Sequence, residues 1–309
     1  MPQTFHPMQQ FTVSINETLD ALPFDMAMEK ARKTVENQIQ FHLAGLSGPL
    51  PDAMHYATKG GKGLRGFLVL ESARMLGVPP TTSISAAAAV EALHAYSLVH
   101  DDLPAMDNDT LRRGLPTVHV KWDDATAILA GDALQTLAFE LLTDPALGPA
   151  EMRLKLIAGL AKASGAQGMV LGQALDIAAE SASHPLTLDE ITALQAGKTG
   201  ALIRFATESG AILAEQNPRP LRAYATALGL AFQIADDILD VTGDPQKAGK
   251  RLQKDAAAGK ATFVSLLGLD AARARAKSLV ELACDHIAPY GASAQNLIDC
   301  ARFTIARES

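Results

Sequence analysis

Two clusters of aspartates follow long apolar segments, and carboxylates in this arrangement could hold divalent cations. The first cluster runs from Asp101 to Asp107, and the second runs from Asp236 to Asp240. Carboxylate oxygens are ligands that Mg²⁺ prefers, and protein-bound Mg²⁺ commonly bridges to substrate phosphates. The two clusters therefore predict a site at which metal ions would hold a phosphate-bearing substrate.

The second cluster has the spacing of one helix face. Asp236 and Asp240 are four residues apart, and side chains at this separation lie together on a helix. Gln233 lies one turn earlier on the same stripe. We expect these side chains to project from one helix into a shared space.

The first cluster does not fit a regular helix. Asp101 and Asp107 are six residues apart, which would point their side chains in different directions. Pro104 lies between them and cannot continue a regular helix. We therefore expect a local bulge that returns Asp107 to the side of Asp101.

An alternative is that each acidic stripe is only the solvated face of an amphipathic helix. Two observations favour a site. Like charges at adjacent and i+4 positions repel each other. Both clusters are also followed by cations, Arg112 and Arg113 after the first, Lys250 and Lys260 after the second. Arginine suits bidentate phosphate contacts, and two adjacent helical arginines would differ in direction by about 100° and so address two anions.

Two glycine-rich segments add phosphate-contact candidates. Residues 59–66 combine glycines with Lys59, Lys62 and Arg65, and glycines let backbone N–H groups approach an anion closely; a flexible turn is the alternative. Lys198 and Thr199 stand in a Gly-Lys-Thr-Gly sequence that is similar to the end of a nucleotide-binding P-loop. The first glycine of that motif is missing, since residue 192 is a threonine, and no predicted strand precedes it.

The elements that must position these residues are helices. Alternating strand patterns are nearly absent, while alanine-rich segments repeat with a helical period. Thr187 and Glu190 form a capping-box pattern that predicts a helix start. The predicted helices cover residues 25–45, 63–77, 82–104, 121–143, 149–178, 187–212, 219–242, 259–288 and 292–307. We expect one all-α domain over residues 1–309, a helical bundle with residues 1–10 loosely held.

Composition restricts the function classes. Of the 309 residues, 48% are hydrophobic and 20% are charged, and the net charge is −7, which disfavours a general nucleic-acid partner. Cys284 and Cys300 are not in a metal-ligand spacing. No apolar run reaches the ~18 residues of a membrane span, since Glu91 and His94 interrupt residues 84–99. The first 30 residues contain one cation, which disfavours a targeting peptide. We expect a cytoplasmic protein.

Together, these motifs resemble those of the trans-prenyl diphosphate synthases. The two aspartate-rich motifs and the Arg112-Arg113-Gly114 sequence carry the resemblance. The first-motif spacing is similar to that of bacterial farnesyl diphosphate synthases and plant-type geranylgeranyl enzymes. The resemblance covers residues 60–66, 91–116, 131–137, 168–176, 198–204, 232–244 and 259–268.

The resemblance implies a fold and a reaction. The fold is an all-α bundle around a deep cavity, with the two motifs facing each other across its mouth and holding three Mg²⁺ ions. In the reaction, an allylic diphosphate ionises, isopentenyl diphosphate attacks the cation and a proton is lost, which lengthens the chain by five carbons. The resemblance also implies a homodimer.

The resemblance assigns roles residue by residue. The implied Mg²⁺ ligands are Asp101, Asp107 and Asp236, with Asp102, Asp237 and Asp240 as supporting acids. The allylic diphosphate would be held by Arg112, Lys198 and Lys260, with Lys250 as a weaker member. The isopentenyl diphosphate would be held by Lys62, Arg65, His94 and Arg113. Thr199 and Gln233 match positions near the proton-loss step, where the departed diphosphate is the expected base.

Two positions depart from the family loop, which usually reads Gly-Gly-Lys-Arg-x-Arg-Pro. Gly63 replaces the first arginine and Gly66 replaces the proline, while Lys62 and Arg65 are kept. We expect weaker or looser binding of isopentenyl diphosphate.

Chain length depends on the residues just before the first motif. Tyr96 and Ser97 are five and four residues before Asp101, where family members place the floor under the growing tail. The bulky Tyr96 is similar to the farnesyl (C15) pattern. The alternatives are a geranylgeranyl (C20) product, or Tyr96 as a core aromatic without that role.

Three other protein classes remain as alternatives. A class I terpene cyclase would carry a different second motif from Asp236–Asp240. A ferritin-like di-metal bundle would need a second Glu-x-x-His element besides Glu91 and His94. A non-catalytic partner subunit would be expected to lack motif aspartates.

Overall fold

The computed structural model of the chain describes residues 22–180, 184–243 and 261–306. These residues are almost entirely helical. The helices are α1 (Phe24–Leu43), α2 (Pro49–Thr58), α3 (Leu64–Met75), α4 (Pro80–Asp101), α5 (Val118–Lys121), α6 (Asp124–Leu141), α7 (Ala150–Ser164), α8 (Met169–Glu180), α9 (Leu188–Gln195), α10 (Ala201–Leu213), α11 (Arg219–Thr242), α12 (Phe263–Leu267), α13 (Leu269–Ile287) and α14 (Gln295–Ala306). Two 3₁₀ segments cover Pro145–Leu147 and Ala288–Ala294, and a π-helical turn covers Ala196–Gly200.

The centre of the molecule is α4, which packs against α1, α3, α6 and α10. Its start is fixed by Pro80, since a proline in the first turn needs no backbone N–H partner. Small side chains from Ala86 to Ala89 are completely buried, so neighbouring helices approach closely. The helix ends at Asp101, three residues before Pro104. The residue before a proline disfavours helical geometry, so the helix cannot easily continue through Leu103. The first acidic cluster therefore begins at the end of this largely buried helix.

The second acidic cluster lies in the last turns of α11, which packs against α13 over much of its length. Tyr224 on α11 is completely buried, and its hydroxyl donates to the Leu297 carbonyl of α14 at 2.7 Å. The α11 helix is thus held by the C-terminal helices α13 and α14, and its last turns carry the aspartates.

Three long helices predicted from the sequence are interrupted. The predicted helix 149–178 is divided between α7 and α8 at Gly165 and Gly168, where an added Cβ at Gly168 would overlap the Ala163 carbonyl. The predicted helix 187–212 contains the π-helical turn. The predicted helix 259–288 is divided at Gly268, which has φ +81°, a conformation that glycine adopts at little cost. The chain also forms α2 between the predicted helices 25–45 and 63–77, where we predicted no helix. This helix begins with Pro49, and a proline is well suited to the first helical position.

Other expectations agree with the fold. The capping box is present, with Thr187 Oγ1 and the Glu190 carboxylate each accepting from the other's backbone N–H. Over the ranges covered by the model, no helix has the length and apolarity that crossing a bilayer requires. Residues 1–10, Lys250 and Lys260 lie outside the described residues. The single domain over 1–309 stays a prediction.

Candidate active site

A cavity of about 340 Å³ lies between the end of α4, the start of α3, α8 and the π-helical turn. Its polar lining contains Arg65, His94, Ser97, His100, Asp101, Gln173, Lys198 and Thr199. Its apolar lining contains Tyr96, Leu98, Met106, Met169, Val170, Ala174 and Ile177. One part of the cavity can therefore receive an anion, while the rest offers hydrocarbon contacts and few groups that hydrogen-bond to water.

The first acidic cluster turns back on itself as expected. The Asp107 backbone N–H donates to the Asp101 backbone carbonyl at 2.8 Å, so the two residues are adjacent despite their separation of six. Burial, with a smaller contribution from Asp107, raises the pKa of the Asp101 carboxyl to about 6, and Lys198 opposes this. A desolvated carboxylate in this position is stabilised by a cation.

Asp102 is bound within the protein. It is only 3% exposed, and its two oxygens accept hydrogen bonds from Arg112 Nε at 2.8 and 2.9 Å and from Arg112 Nη2 at 2.6 Å. In this structure the Arg112 guanidinium therefore faces Asp102, and Arg112 is not among the residues that line the cavity.

Arg112 and Arg113 lie on a short hairpin, and the expectation that they are helical neighbours was wrong. Strand β1 (Leu111–Arg112) pairs antiparallel with β2 (Leu115–Pro116). The turn residues Arg113 and Gly114 have φ +55° and +74°, the conformation of a two-residue hairpin turn. The two arginines still diverge, but the cause is the turn and not a helical rotation.

Arg113 lies on the glycine-rich loop. Its Nη1 donates to the carbonyls of Lys59 at 3.0 Å and Gly60 at 2.9 Å. A Cβ at Gly61 would lie 2.6 Å from the Arg113 guanidinium carbon, so a side chain at Gly61 would displace the guanidinium from its present position. Desolvation lowers the pKa of Arg113, and the Glu91 carboxylate opposes this shift. The glycines at this loop thus admit an arginine side chain.

The other predicted cations of this region lie nearby. Lys62 is exposed, and its Nζ lies 5.7 Å from the centre of the Phe303 ring on α14, within the range of a cation–π contact. Desolvation lowers the pKa of Arg65, and its Nε is shielded from solvent without a hydrogen-bond partner among the described residues. Desolvation and the nearby Arg65 and Arg113 charges hold the pKa of His94 well below its ordinary value, so its ring is neutral near pH 7.

The two family departures have local explanations. The Gly66 backbone N–H donates to Glu91 Oε1 at 2.8 Å, a bond that a proline could not make. Gly63 has φ +62° at the start of α3, and a Cβ there would lie 3.2 Å from the Arg32 side chain. The loop is therefore fixed by contacts to Glu91 and α1.

Lys198 and Thr199 lie on the π-helical turn between α9 and α10, and π-helical turns are frequent at functional sites. Both residues line the cavity. Lys198 Nζ donates to Asp176 Oδ2 of α8 at 2.8 Å. The ammonium group is therefore oriented beside the Asp101 carboxylate, whose pKa it lowers.

The second acidic cluster divides into two environments. The Asp236 carboxylate lies close enough to Arg65 to raise the pKa of the Arg65 guanidinium, which opposes the lowering caused by desolvation. Asp237 is buried, and its Oδ2 accepts the Phe263 backbone N–H at 2.7 Å. It therefore joins α11 to α12. Gln233, Asp236 and Asp240 are half-buried on α11, and none of the three is among the cavity-lining residues. Of the three predicted metal ligands, only Asp101 lines the cavity, since Asp107 is not among the lining residues either.

Comparison with known proteins identifies this arrangement. The family model described as polyprenyl synthetase matches residues 49–289. The chain belongs to the polyprenyl synthetase family. The farnesyl diphosphate synthase of Escherichia coli is 48% identical over 84% of this chain and 90% of its own length. That of Haemophilus influenzae is 42% identical over 93% of this chain and 99% of its own length.

Solved structures agree with this family and its all-α fold. An FPP/GFPP synthase from Zymomonas mobilis is 44% identical, with a TM-score of 0.84 over 91% of this chain and 98% of its own. A geranyltransferase from Helicobacter pylori, solved with magnesium and isoprenyl diphosphate, is 35% identical, with a TM-score of 0.81 over 93% of this chain and 98% of its own. The predicted fold class is confirmed.

The oxygen donors of this chain fit Mg²⁺ in the presence of a substrate. Among the described residues, no three acidic, histidine or cysteine side chains are close enough to hold a metal ion by themselves. The carboxylates of Asp101, Asp107 and Asp236 are hard oxygen ligands on two separate elements. Diphosphate oxygens would supply the ligands that the protein lacks.

Several residues of the cavity were not predicted from the sequence. Gln173 and Ala174 on α8, Met106 after α4, and His100 on α4 all line the cavity. Asp176, which pairs with Lys198, was also missed. The available signal was the polar pair Gln173 and Asp176 at i and i+3 in an otherwise apolar helix, within the segment 168–176 that carries the family resemblance.

Proposed function

We propose that the chain condenses isopentenyl diphosphate head-to-tail with dimethylallyl or geranyl diphosphate, giving farnesyl diphosphate (C15) and diphosphate. It is a prenyltransferase. The observation that carries the proposal is a cavity whose lining combines Asp101, Arg65 and Lys198 with a set of apolar side chains. The farnesyl diphosphate synthases of Escherichia coli, Haemophilus influenzae and Geobacillus stearothermophilus, 42–48% identical, support it.

Asp101, Asp107 and Asp236 are the proposed ligands of three Mg²⁺ ions. Bound Mg²⁺ would neutralise the diphosphate charge and favour its departure. Asp102, Asp237 and Asp240 would support these ligands. For Asp102 and Asp237 the support is positional, because their carboxylates accept hydrogen bonds from Arg112 and from the Phe263 backbone.

Lys198, Arg112 and Lys260, with a smaller contribution from Lys250, would hold the allylic diphosphate. When the bond between the first carbon and the diphosphate oxygen breaks, the electron pair leaves with the diphosphate. Cations fixed at the leaving group stabilise that charge. Val170, Ala174 and Ile177 line the cavity and offer no nucleophile to the allylic cation, and an apolar wall disfavours water beside it.

Lys62, Arg65, His94 and Arg113 would hold isopentenyl diphosphate. Burial of the Arg65 Nε without a partner suits an incoming anionic oxygen. The neutral His94 ring can donate one hydrogen bond. The π electrons of isopentenyl diphosphate then form the new carbon–carbon bond, and the departed diphosphate takes the proton, close to Thr199 and Gln233.

Tyr96 and Ser97 are proposed to limit chain length. Tyr96 is 6% exposed and lies in the cavity wall, with its ring 5.4 Å from the His100 ring in an edge contact. A large ring held in place by its neighbour restricts the space left for the tail. A C20 product is the second candidate, and 38–40% identical geranylgeranyl diphosphate synthases support that alternative.

The test is product analysis by mass spectrometry after incubation with isopentenyl diphosphate and either allylic primer. A C15 diphosphate supports the proposal, and a C20 diphosphate retains the reaction but contradicts the role of Tyr96. A cyclic hydrocarbon would indicate a terpene cyclase, and no product would indicate a partner subunit. A homodimer and a cytoplasmic location are further proposals; light scattering of the purified chain tests the first, and cell fractionation tests the second.

A further inference from the structure

Gln173 on α8 has an unusual environment. It lines the cavity, and both atoms of its amide, Oε1 and Nε2, are shielded from solvent without a hydrogen-bond partner among the described residues. Nearly all buried polar side-chain atoms in proteins are paired, because an unpaired one loses its hydration without compensation. An amide that is unpaired at both ends among the described residues is therefore a candidate to pair with a ligand bound in the cavity.

The position of Gln173 is fixed relative to the proposed allylic diphosphate site. Gly172 packs directly against the π-helical turn, where an added Cβ would overlap the Lys198 backbone. Three residues after Gln173, Asp176 holds Lys198 Nζ at 2.8 Å. The backbone of Gln173 is thus held next to the residue that we propose contacts the leaving diphosphate.

The same cavity contains a second unpaired group, the Nε of Arg65. Arg65 Nε and Gln173 Nε2 are both donors. Neither is paired within the described residues, so each suits an acceptor oxygen. Arg65 belongs to the proposed isopentenyl diphosphate site, and the oxygen that Gln173 Nε2 contacts would come from the other substrate. Gln173 Oε1 needs a partner with positive charge or a hydrogen to donate. For Gln173, a molecule with an anionic end next to a carbon that becomes positive satisfies both Nε2 and Oε1.

We propose that Gln173 contacts the allylic substrate at the bond that breaks. Its Nε2–H donates to a diphosphate oxygen, and its Oε1 faces the allylic carbon that becomes positive when the electron pair leaves with the diphosphate. A neutral amide suits this position, since a carboxylate would repel the diphosphate and an ammonium group would repel the cation. The inference rests on the proposed function and adds a catalytic residue to it.

The experiment compares Gln173→Met with Gln195→Met. The control is matched because Gln195 Oε1 is also shielded and unpaired, but Gln195 lines a separate pocket with Thr192 and Arg204. Methionine keeps the length of the side chain and removes its polar atoms. Three quantities are measured for each variant: the melting temperature without ligand, the kinetics with geranyl and isopentenyl diphosphates, and the melting-temperature rise with Mg²⁺ and the unreactive thiolo analogue of geranyl diphosphate.

We expect Gln173→Met to melt at or above the wild-type temperature, because an unpaired buried amide is removed. Its kcat/KM for geranyl diphosphate should fall about 10- to 100-fold, the usual effect of losing a hydrogen bond to a charged group. The KM for isopentenyl diphosphate should stay within about twofold. The analogue should raise its melting temperature less than it raises that of the wild type. Gln173→Glu retains the size of the side chain and adds a negative charge. The analogue should raise the melting temperature of this variant even less than it raises that of Gln173→Met.

Three results would overturn the inference. One is wild-type kinetics and analogue binding in Gln173→Met. Another is a lower melting temperature with a loss of activity that matches the loss of folded protein. A third is an equal effect of Gln195→Met on the kinetics. If the wild-type chain formed no prenyl product, the proposed function would fail, and the analogue-binding comparison would still decide whether Gln173 contacts an allylic diphosphate.

Discussion

Arg112 on the β1–β2 hairpin donates hydrogen bonds to both carboxylate oxygens of Asp102, at 2.6, 2.8 and 2.9 Å. Asp102 is buried beside the last residue of α4, whereas Arg112 is partly exposed. The bond therefore connects the hairpin to the end of the helix that presents Asp101. Although Asp101 and Asp102 are adjacent in sequence, one faces the cavity and the other holds the loop in place.

Replacing Asp102 with alanine should therefore destabilise the protein as well as lower its activity. Removing one partner of a buried pair typically costs 3–5 kcal/mol, and the partial exposure of Arg112 reduces the expected loss to about 2 kcal/mol. Urea unfolding followed by circular dichroism measures the free energy of unfolding. The matched variant is Asp107→Ala, which changes an exposed aspartate of the same cluster and should lower activity while stability stays near that of the wild type. Equal stability losses in both variants would contradict the distinction.

Restoring the family proline at Gly66 should not stabilise this chain. The Gly66→Pro variant removes the N–H that Glu91 accepts at 2.8 Å. A hydrogen bond to a charged group is worth about 1.5–3 kcal/mol, which exceeds the 0.4–1 kcal/mol usually gained from proline through the unfolded chain. We expect a net loss of about 1 kcal/mol and a raised KM for isopentenyl diphosphate. The double variant with Glu91→Gln should lose less free energy of unfolding than the two single variants lose in sum, because both substitutions disrupt the same hydrogen bond. A higher melting temperature for Gly66→Pro would show that the bond contributes little.

Shortening Tyr96 should lengthen the product. The Tyr96→Ala variant removes a ring that occupies the cavity wall, so a tail longer than C15 should fit below it. Tyr96→Phe keeps the bulk and should keep the C15 product. The measurement is the distribution of product lengths by mass spectrometry. An unchanged C15 product from Tyr96→Ala would remove Tyr96 as the floor.

The stability of the protein should depend on pH through His94. The pKa of His94 is held well below 6.5 in the folded protein, whereas in the unfolded chain it is about 6.5. The unfolded state therefore binds the proton first, and stability should fall by up to about 1.4 kcal/mol per pH unit as the pH decreases below 6.5.

The comparison variant for this prediction is His94→Gln, which removes the titrating group. The raised pKa of Asp101, about 6, acts in the opposite direction, so only the difference between wild type and variant isolates His94. Urea unfolding at pH 7.5, 6.5 and 5.5 measures that difference. If the free energy of unfolding changed with pH in the same way in both proteins, the pKa of His94 would not differ between the folded and unfolded states, and the prediction would be wrong.

The sequence was informative where chemistry and spacing determine geometry. Pro104 stops α4, and the resulting turn brings Asp107 to Asp101, as the spacing predicted. The i, i+4 relation of Asp236 and Asp240 on α11 follows from helical periodicity alone. The capping box at Thr187 is likewise a local signal with a local result.

Other features depend on contacts that one local pattern does not contain. The hairpin at Arg113 and Gly114 is held by strands of two residues each, too short for an alternating pattern to register. The division between α7 and α8 reflects close packing at Gly168, and the π-helical turn at Lys198 keeps the hydrophobic period nearly unchanged. Gln173 is conspicuous only because the structure shows its amide to be buried and unpaired.

The most direct test of the account is the Mg²⁺ dependence of prenyl transfer in the wild type and in two variants, Asp101→Ala and Asp236→Ala. Each protein is incubated with geranyl and isopentenyl diphosphates, with Mg²⁺ or with EDTA, and the rate of C15 diphosphate formation is measured. The account predicts turnover only in the wild type with Mg²⁺. It also predicts that the melting temperature of each variant lies within a few degrees of the wild-type value. Turnover near the wild-type rate in either variant, or in EDTA, would contradict the assignment of the two acidic clusters to the reaction.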